Sequence, residues 1–133
     1  MRQITYISTA RLGDGETLAT IERYAVQRNS REDLSGLLLY DGVRFLQVIE
    51  GPESAVAAAF ARISADPRHI ALVVLRDHNV DYRSFGGWAM LCRTADQVDG
   101  ALAKLVTAFV RTADPSTRSL FESFAQIRDA KAA

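Results

Sequence analysis

Apolar residues run or alternate through residues 3–10 (QITYISTA), 34–40 (LSGLLLY), 43–50 (VRFLQVIE), 70–76 (IALVVLR) and 87–92 (GWAMLC), and each run predicts a strand. Between the runs the apolar spacing changes to three and four. Leu18, Ile21 and Ala25 predict a helix over residues 16–29, with Glu16 near the positive end of its dipole. Val56, Phe60 and Ile63 predict a second helix over residues 53–65, ended by Asp66-Pro67-Arg68-His69. Asp41-Gly42 is a hairpin turn. Gly51-Pro52 closes the hairpin and places proline to begin the second helix.

The order through residue 92 is β-α-β-β-α-β-β, an α+β, ferredoxin-like order with an added strand. Two further helices follow. Val98, Leu102, Leu105 and Phe109 form one stripe, and Leu120, Phe124 and Ile127 form another beyond Asp114-Pro115-Ser116. Neither short helix can bury its stripe alone, so residues 95–133 are expected to be an extension packed on the domain of residues 1–94. In 43–50, Phe45 and Ile49 face one way and Leu46 and Val48 the other. A sheet apolar on both faces needs two covers. The inner helices can supply one; the C-terminal helices, or a second subunit, can supply the other.

The 133 residues include 16 acidic and 16 basic side chains, which argues against nucleic acid or an anionic membrane as partner. No apolar run approaches the ~18 residues of a membrane helix. The N-terminal strand pattern leaves no room for a signal peptide, and Cys92 is the only cysteine. A cytoplasmic protein is expected. His69 and His78 are nine residues apart without metal-ligand spacing, and both read as exposed strand ends. No metal is expected, and Cys92 reads as a small core hydrophobe.

Gln47 breaks the pattern. It lies between apolar neighbours on the face of Phe45 and Ile49, where an unpartnered amide would cost about 1–3 kcal/mol. It bonds either to a neighbour or water, or to the polar edge of a ligand. Tyr6 shares a strand face with Ile4 and Ser8, and its phenol is either a packing group or a donor beside Gln47. Asn29 reads as a helix C-cap and Arg28 as a solvated charge when each is taken singly.

Taken together, Tyr6-x-Ser8, Asn29 followed by Leu34-Ser35-Gly36, Phe45-Leu46-Gln47-Val48-Ile49-Glu50-Gly51, Asp66-Pro67-Arg68-His69, Arg83-x-Phe85 and Trp88-x-Met90 stand in an order that resembles the BLUF family of blue-light sensors using FAD. The resemblance covers about residues 3–92. It implies that Tyr6 is the photoactive tyrosine, that Gln47 stands between it and the flavin, and that Asn29 holds the polar edge of the isoalloxazine ring. It implies that Trp88 and Met90 form a signalling pair on the final strand. It also places the flavin between the two inner helices, with Ile21 beside the ring and Ser8 near Tyr6. Arg68 and His69 stand where the ribityl-phosphate end passes. Arg28 precedes Asn29 where family members carry a second asparagine or a histidine, and is a candidate donor to a flavin carbonyl or phosphate.

On this resemblance the chain is a non-enzymatic photoreceptor binding FAD. Light would draw an electron and a proton from Tyr6 and leave Gln47 with a rearranged hydrogen-bond pattern. A homodimer or larger homo-oligomer and an unidentified downstream protein are expected partners, since two amphipathic helices on so small a domain leave apolar surface. Two other readings compete. One is an acylphosphatase-like hydrolase, with Arg11 and Gly13 to Gly15 as a phosphate loop and an asparagine to position water. The other is a ligand-free interaction module that docks through its helical tail.

Overall fold

The computed structural model describes residues 1–94, 97 and 100–132, the side chains of residues 101 and 124–132 excepted. Its elements are β1 (Arg2–Ala10), α1 (Leu18–Glu32), β2 (Ser35–Tyr40), β3 (Arg44–Gly51), α2 (Glu53–Ala65), β4 (His69–Asn79), β5 (Leu91–Thr94), α3 (Gly100–Arg111) and α4 (Pro115–Ala132). The strands form one mixed sheet in the order β4-β1-β3-β2-β5. Only β5 against β2 is parallel. This is the ferredoxin-like arrangement with β5 added beside β2. Among the described residues, no helix is long and apolar enough to cross a membrane.

Local chemistry sets the element ends. Thr17 caps α1 by accepting the Thr20 amide at 3.2 Å, and the Thr20 hydroxyl accepts the Thr17 amide at 3.0 Å. The helix begins at Leu18, two residues after the expected start, because the Glu16 carboxylate instead accepts the Gly13 amide. It continues past Asn29 to Glu32, where Asp33 turns left-handed and returns its amide to the Asn29 carbonyl. In the β2–β3 hairpin, the Asp41 carboxylate accepts the amides of Val43 and Arg44 at 2.9 and 2.6 Å. Gly36 permits a close approach of strands: a Cβ there would stand 2.1 Å from the Val48 carbonyl oxygen.

Two apolar layers flank the sheet, as the alternation in β3 requires. Ile4, Tyr6, Leu38, Phe45 and Ile49 pack with Val56 and Ala59 of α2 and with the inner face of α1. Leu37, Leu39, Leu46, Val48 and Phe85 pack on the opposite side with Leu102, Phe109 and Phe121. The C-terminal helices therefore cover the second face.

Three expectations are corrected. The last strand starts at Leu91, not 87, and Trp88 and Met90 precede it. Their segment reads as a strand because it is apolar on both sides, yet it is a loop that crosses from one layer to the other. The Trp88 amide turns back to the Phe85 carbonyl, Trp88 packs in the second layer, and Met90 packs in the first. The stripe on α3 is rotated: Leu102, Val106 and Phe109 face the sheet, while Leu105 remains 38% exposed. His69 and His78 are half-buried residues of an eleven-residue β4, not exposed ends. Val98 lies outside the described residues, as do the side chains of Phe124 and Ile127.

Candidate functional site

Strand register brings one row of side chains together. Tyr6 of β1 stands opposite Gln47 of β3, Gln47 opposite Leu38 of β2, and Leu38 opposite Cys92 of β5. Above this row, between the sheet and the two inner helices, lies a cavity of about 580 Å³. That volume is within the range of small-molecule and cofactor sites. Gln47, Leu38 and Ile49 form its floor, Ile21 and Asn29 of α1 one wall, and Ala59 and Ile63 of α2 the other. Met90 and Cys92 close the end toward β5.

The polar side chains at or beside the floor have few protein partners. Tyr6 is fully buried, and its hydroxyl has no hydrogen-bond partner among the described residues. Gln47 is 6% exposed, and among the described residues its amide donates only to the Met90 sulfur, at 3.7 Å. A thioether is a weak acceptor for a buried amide. Asn29 is buried and donates through Nδ2 to the Ala89 carbonyl at 2.7 Å, which leaves its side-chain oxygen available. Unsatisfied buried groups are rare in folded proteins. Among the described residues Thr5 Oγ1, Tyr6 Oη and His78 Nδ1 lack partners. Of these, Tyr6 stands beside the cavity, opposite Gln47, and a planar group with paired donors and acceptors on one edge suits Gln47 and Asn29 there.

The mouth is charged. Arg68 is held by Asp66 at 2.5 Å and Glu16 at 3.3 Å, and Arg62 by Glu32 at 2.9 Å. Arg28 is exposed and has no ion pair among the described residues, so it is the mouth's free cation. The Arg68 hydrogen bond, assisted by its charge, holds Asp66 below the usual carboxylate pKa. Burial raises the Tyr6 pKa well above that of a free phenol, with Asp66 and Cys92 adding to the effect, so the hydroxyl stays protonated. Burial pushes the Cys92 thiol up to about 12, as expected of an inert core thiol.

His69 lines the cavity with Nδ1 2.8 Å from the Ser8 hydroxyl, and its ring packs edge-on to Tyr6 at 5.9 Å. Burial depresses its pKa, opposed by the Asp66 charge and assisted by that of Arg68; burial likewise depresses His78. The unfolded chain therefore binds protons that the folded chain refuses, and stability falls as pH drops through about 6.5. Asp66, whose folded pKa is depressed, adds its loss only at lower pH. Unfolding midpoints measured from about pH 8 to 5 should start to decline near 6.5. His69→Gln should remove part of that decline; a flat profile would contradict the placement of both histidines.

Of the residues expected to form the site, Gln47, Asn29, Ile21, Arg28, Arg68, His69 and Met90 line the cavity. Tyr6 and Ser8 do not line it; both stand buried in β1 beside it. Trp88 is on the far side of the sheet, stacked on Phe85 at 6.5 Å. Tyr24 and Arg62 line the mouth without having been expected there. Tyr24 shares the face of α1 with Arg28 four residues on, and that spacing was the available signal. The phosphate-loop alternative is weakened: the Gly13 amide donates to Glu16 at 2.7 Å and the Arg11 amide to the Arg68 carbonyl at 2.8 Å, so neither amide is free to bind an anion. No cluster of side chains suited to a metal ion occurs among the described residues.

Comparison with known proteins agrees with this geometry. The family model described as BLUF, sensors of blue-light using FAD, matches residues 1–91. The photoactivated adenylate cyclase subunit alpha-like protein FB of Euglena gracilis is 37% identical over 93 residues, covering 68% of this chain and 9% of that protein. The blue light- and temperature-regulated antirepressor BluF of Escherichia coli K12 is 31% identical over 129 residues, covering 90% of this chain and 32% of its own length. The chain thus spans only a small part of these curated relatives. The dark-state structure of BlrB, a BLUF protein, superposes with a TM-score of 0.72 at 32% identity, covering 97% of this chain and 96% of that one. The matched residues contain the whole cavity floor and both inner helices, and the chain belongs to the BLUF family of flavin-using blue-light sensors.

Proposed function

We propose that light sensing in this chain is carried by a hydrogen-bond rearrangement of Gln47 between Tyr6, Met90 and a flavin, with FAD as the resident cofactor. The observation that supports it is the pair of buried, poorly partnered groups, Tyr6 Oη and the Gln47 amide, in one row beneath the cavity. A bound flavin supplies a blue-absorbing chromophore whose excited state can take an electron from a nearby phenol. Tyr6 would be the donor of that electron and of its Oη proton, and recovery of both would leave it unchanged, so nothing would be consumed. Its high pKa keeps the proton in place in the dark. Gln47 can exchange donor and acceptor without changing charge, and it retains the new orientation. The altered contact falls on Met90.

Asn29 and Arg28 complete this reading as cofactor-binding residues, together with Ile21, Arg68 and His69 on the walls and Ser8 behind His69. Arg28, the unpaired cation, would meet a phosphate. Titration with FAD, FMN and riboflavin tests it. The phosphorylated flavins should bind more tightly, and Arg28→Ala should narrow the difference; failure of all three to bind would refute the reading. Asn29→Ala should weaken flavin binding about threefold to tenfold, the equivalent of one hydrogen bond of about 0.5–1.5 kcal/mol. Unchanged affinity and an unchanged dark spectrum would remove Asn29 from the site.

Residues 1–94 form the sensing unit in this proposal, and residues 95–133 form an extension through which Trp88 reports. Exposed apolar side chains on β4 (Ile70, Val73, Val74) and α3 (Leu105) leave surface for a second copy and for a downstream protein. Light scattering in darkness and light tests the homo-oligomer. The single cysteine, buried and unpaired, suits a reducing cytoplasm.

A further inference from the structure

Glu50 alternates with Leu46 and Val48 along β3 and therefore faces the second layer, where it is fully buried. A carboxylate in that position is costly unless its lone pairs are filled. They are filled by a polar row across three strands and by the loop after β4. Oε2 accepts the Gln3 side-chain amide and the Ser84 backbone amide, both at 2.9 Å. Oε1 accepts the Phe85 backbone amide at 2.6 Å and the Ser35 hydroxyl at 3.1 Å. Arg83, paired with the Asp33 carboxylate at 2.9 Å, donates to the Ser35 oxygen at 3.0 Å and so holds that hydroxyl in place.

The loop so held continues directly to the cavity. The Trp88 carbonyl accepts the Gly36 amide at 3.1 Å, the Ala89 carbonyl accepts Asn29, and the Met90 sulfur accepts Gln47. Charge-assisted bonds thus hold the upstream end of residues 84–90, and neutral bonds and a thioether hold the downstream end. We infer that Glu50 is a positioning residue for light sensing: its buried carboxylate clamps Ser84 and Phe85 and thereby sets where Trp88 and Met90 sit relative to Gln47. This inference rests on the role proposed above for Gln47.

Trp88 is the chain's only tryptophan, so its emission reports on this loop and on the second layer in which it packs. The test uses the full flavin-loaded chain as Glu50→Gln and as the milder Ser35→Ala, with Asp41→Ala in the β2–β3 turn, which loses the bonds to the Val43 and Arg44 amides, as a control for general destabilisation. Glutamine keeps one acceptor oxygen and turns an NH₂ toward one of the two loop amides. Glu50→Gln should red-shift Trp88 emission and speed exchange of the Ser84 or Phe85 amide about tenfold. It should also change dark recovery after blue light about threefold or more. Flavin content should be retained, and Asp41→Ala should move none of the three. Wild-type emission and exchange in Glu50→Gln would overturn the clamp. Altered emission with unaltered recovery would overturn the positioning role. If Glu50→Gln does not fold, Ser35→Ala decides by the same readouts, in the same directions. A wild type without any light response would refute the role of Gln47, and emission and exchange would still decide the clamp.

Discussion

Tyr6→Phe should abolish the light-induced spectral shift while leaving the fold and the flavin content intact. The hydroxyl it removes is fully buried and has no partner among the described residues, so its loss breaks no protein hydrogen bond. Removing an unsatisfied buried group is neutral or stabilising, and the flavin-free variant should unfold at or above the wild-type midpoint. The ring keeps its edge contacts with Phe60 at 5.8 Å and His69 at 5.9 Å. Gln47→Leu should act in the same way, since it loses only the 3.7 Å contact to Met90 and keeps similar volume. A normal reversible shift in either variant would exclude that residue from the photochemistry.

A chain ending at Thr94 should lose its cooperative fold or aggregate. Phe109 and Phe121, each 4% exposed, cover Leu37, Leu39, Leu46, Val48 and Phe85, which are no more than 2% exposed. Each buried aromatic contributes about 1.5–3 kcal/mol, and whole domains are stable by only about 5–15 kcal/mol. The uncovered sheet face would itself be a patch that drives association. Leu105→Glu, by contrast, should leave the unfolding midpoint nearly unchanged because Leu105 already meets solvent. Thermal unfolding and light scattering check both. A truncated chain that is monomeric and as stable as the full one would show that the tail helices are not part of the sheet's cover.

Both faces of β3 are legible from alternation alone, because Phe45 and Ile49 or Leu46 and Val48 cannot turn to water without a large cost. Gln47 is legible for the opposite reason, as the one amide on an apolar face. Residues 87–92 mislead because a loop that threads between two layers is as apolar as a buried strand. Spacing also cannot choose between Leu105 and Val106, since the docking of α3 on the sheet decides which one is inside. Glu50 escapes notice because a charge at the end of an apolar run reads as the strand's exit into solvent. The donors that make its burial tolerable come from elsewhere in the chain, from Gln3, Ser35 and the backbone amides of Ser84 and Phe85.

The most direct measurement of the central claim is the absorption spectrum of the FAD-loaded protein in darkness, under blue light and after return to darkness. A hydrogen-bond change at Gln47 without net electron transfer predicts a small red shift of the flavin bands, with their height preserved and full reversal in the dark. A spectrum unaffected by light, or one that bleaches and stays bleached, would contradict it.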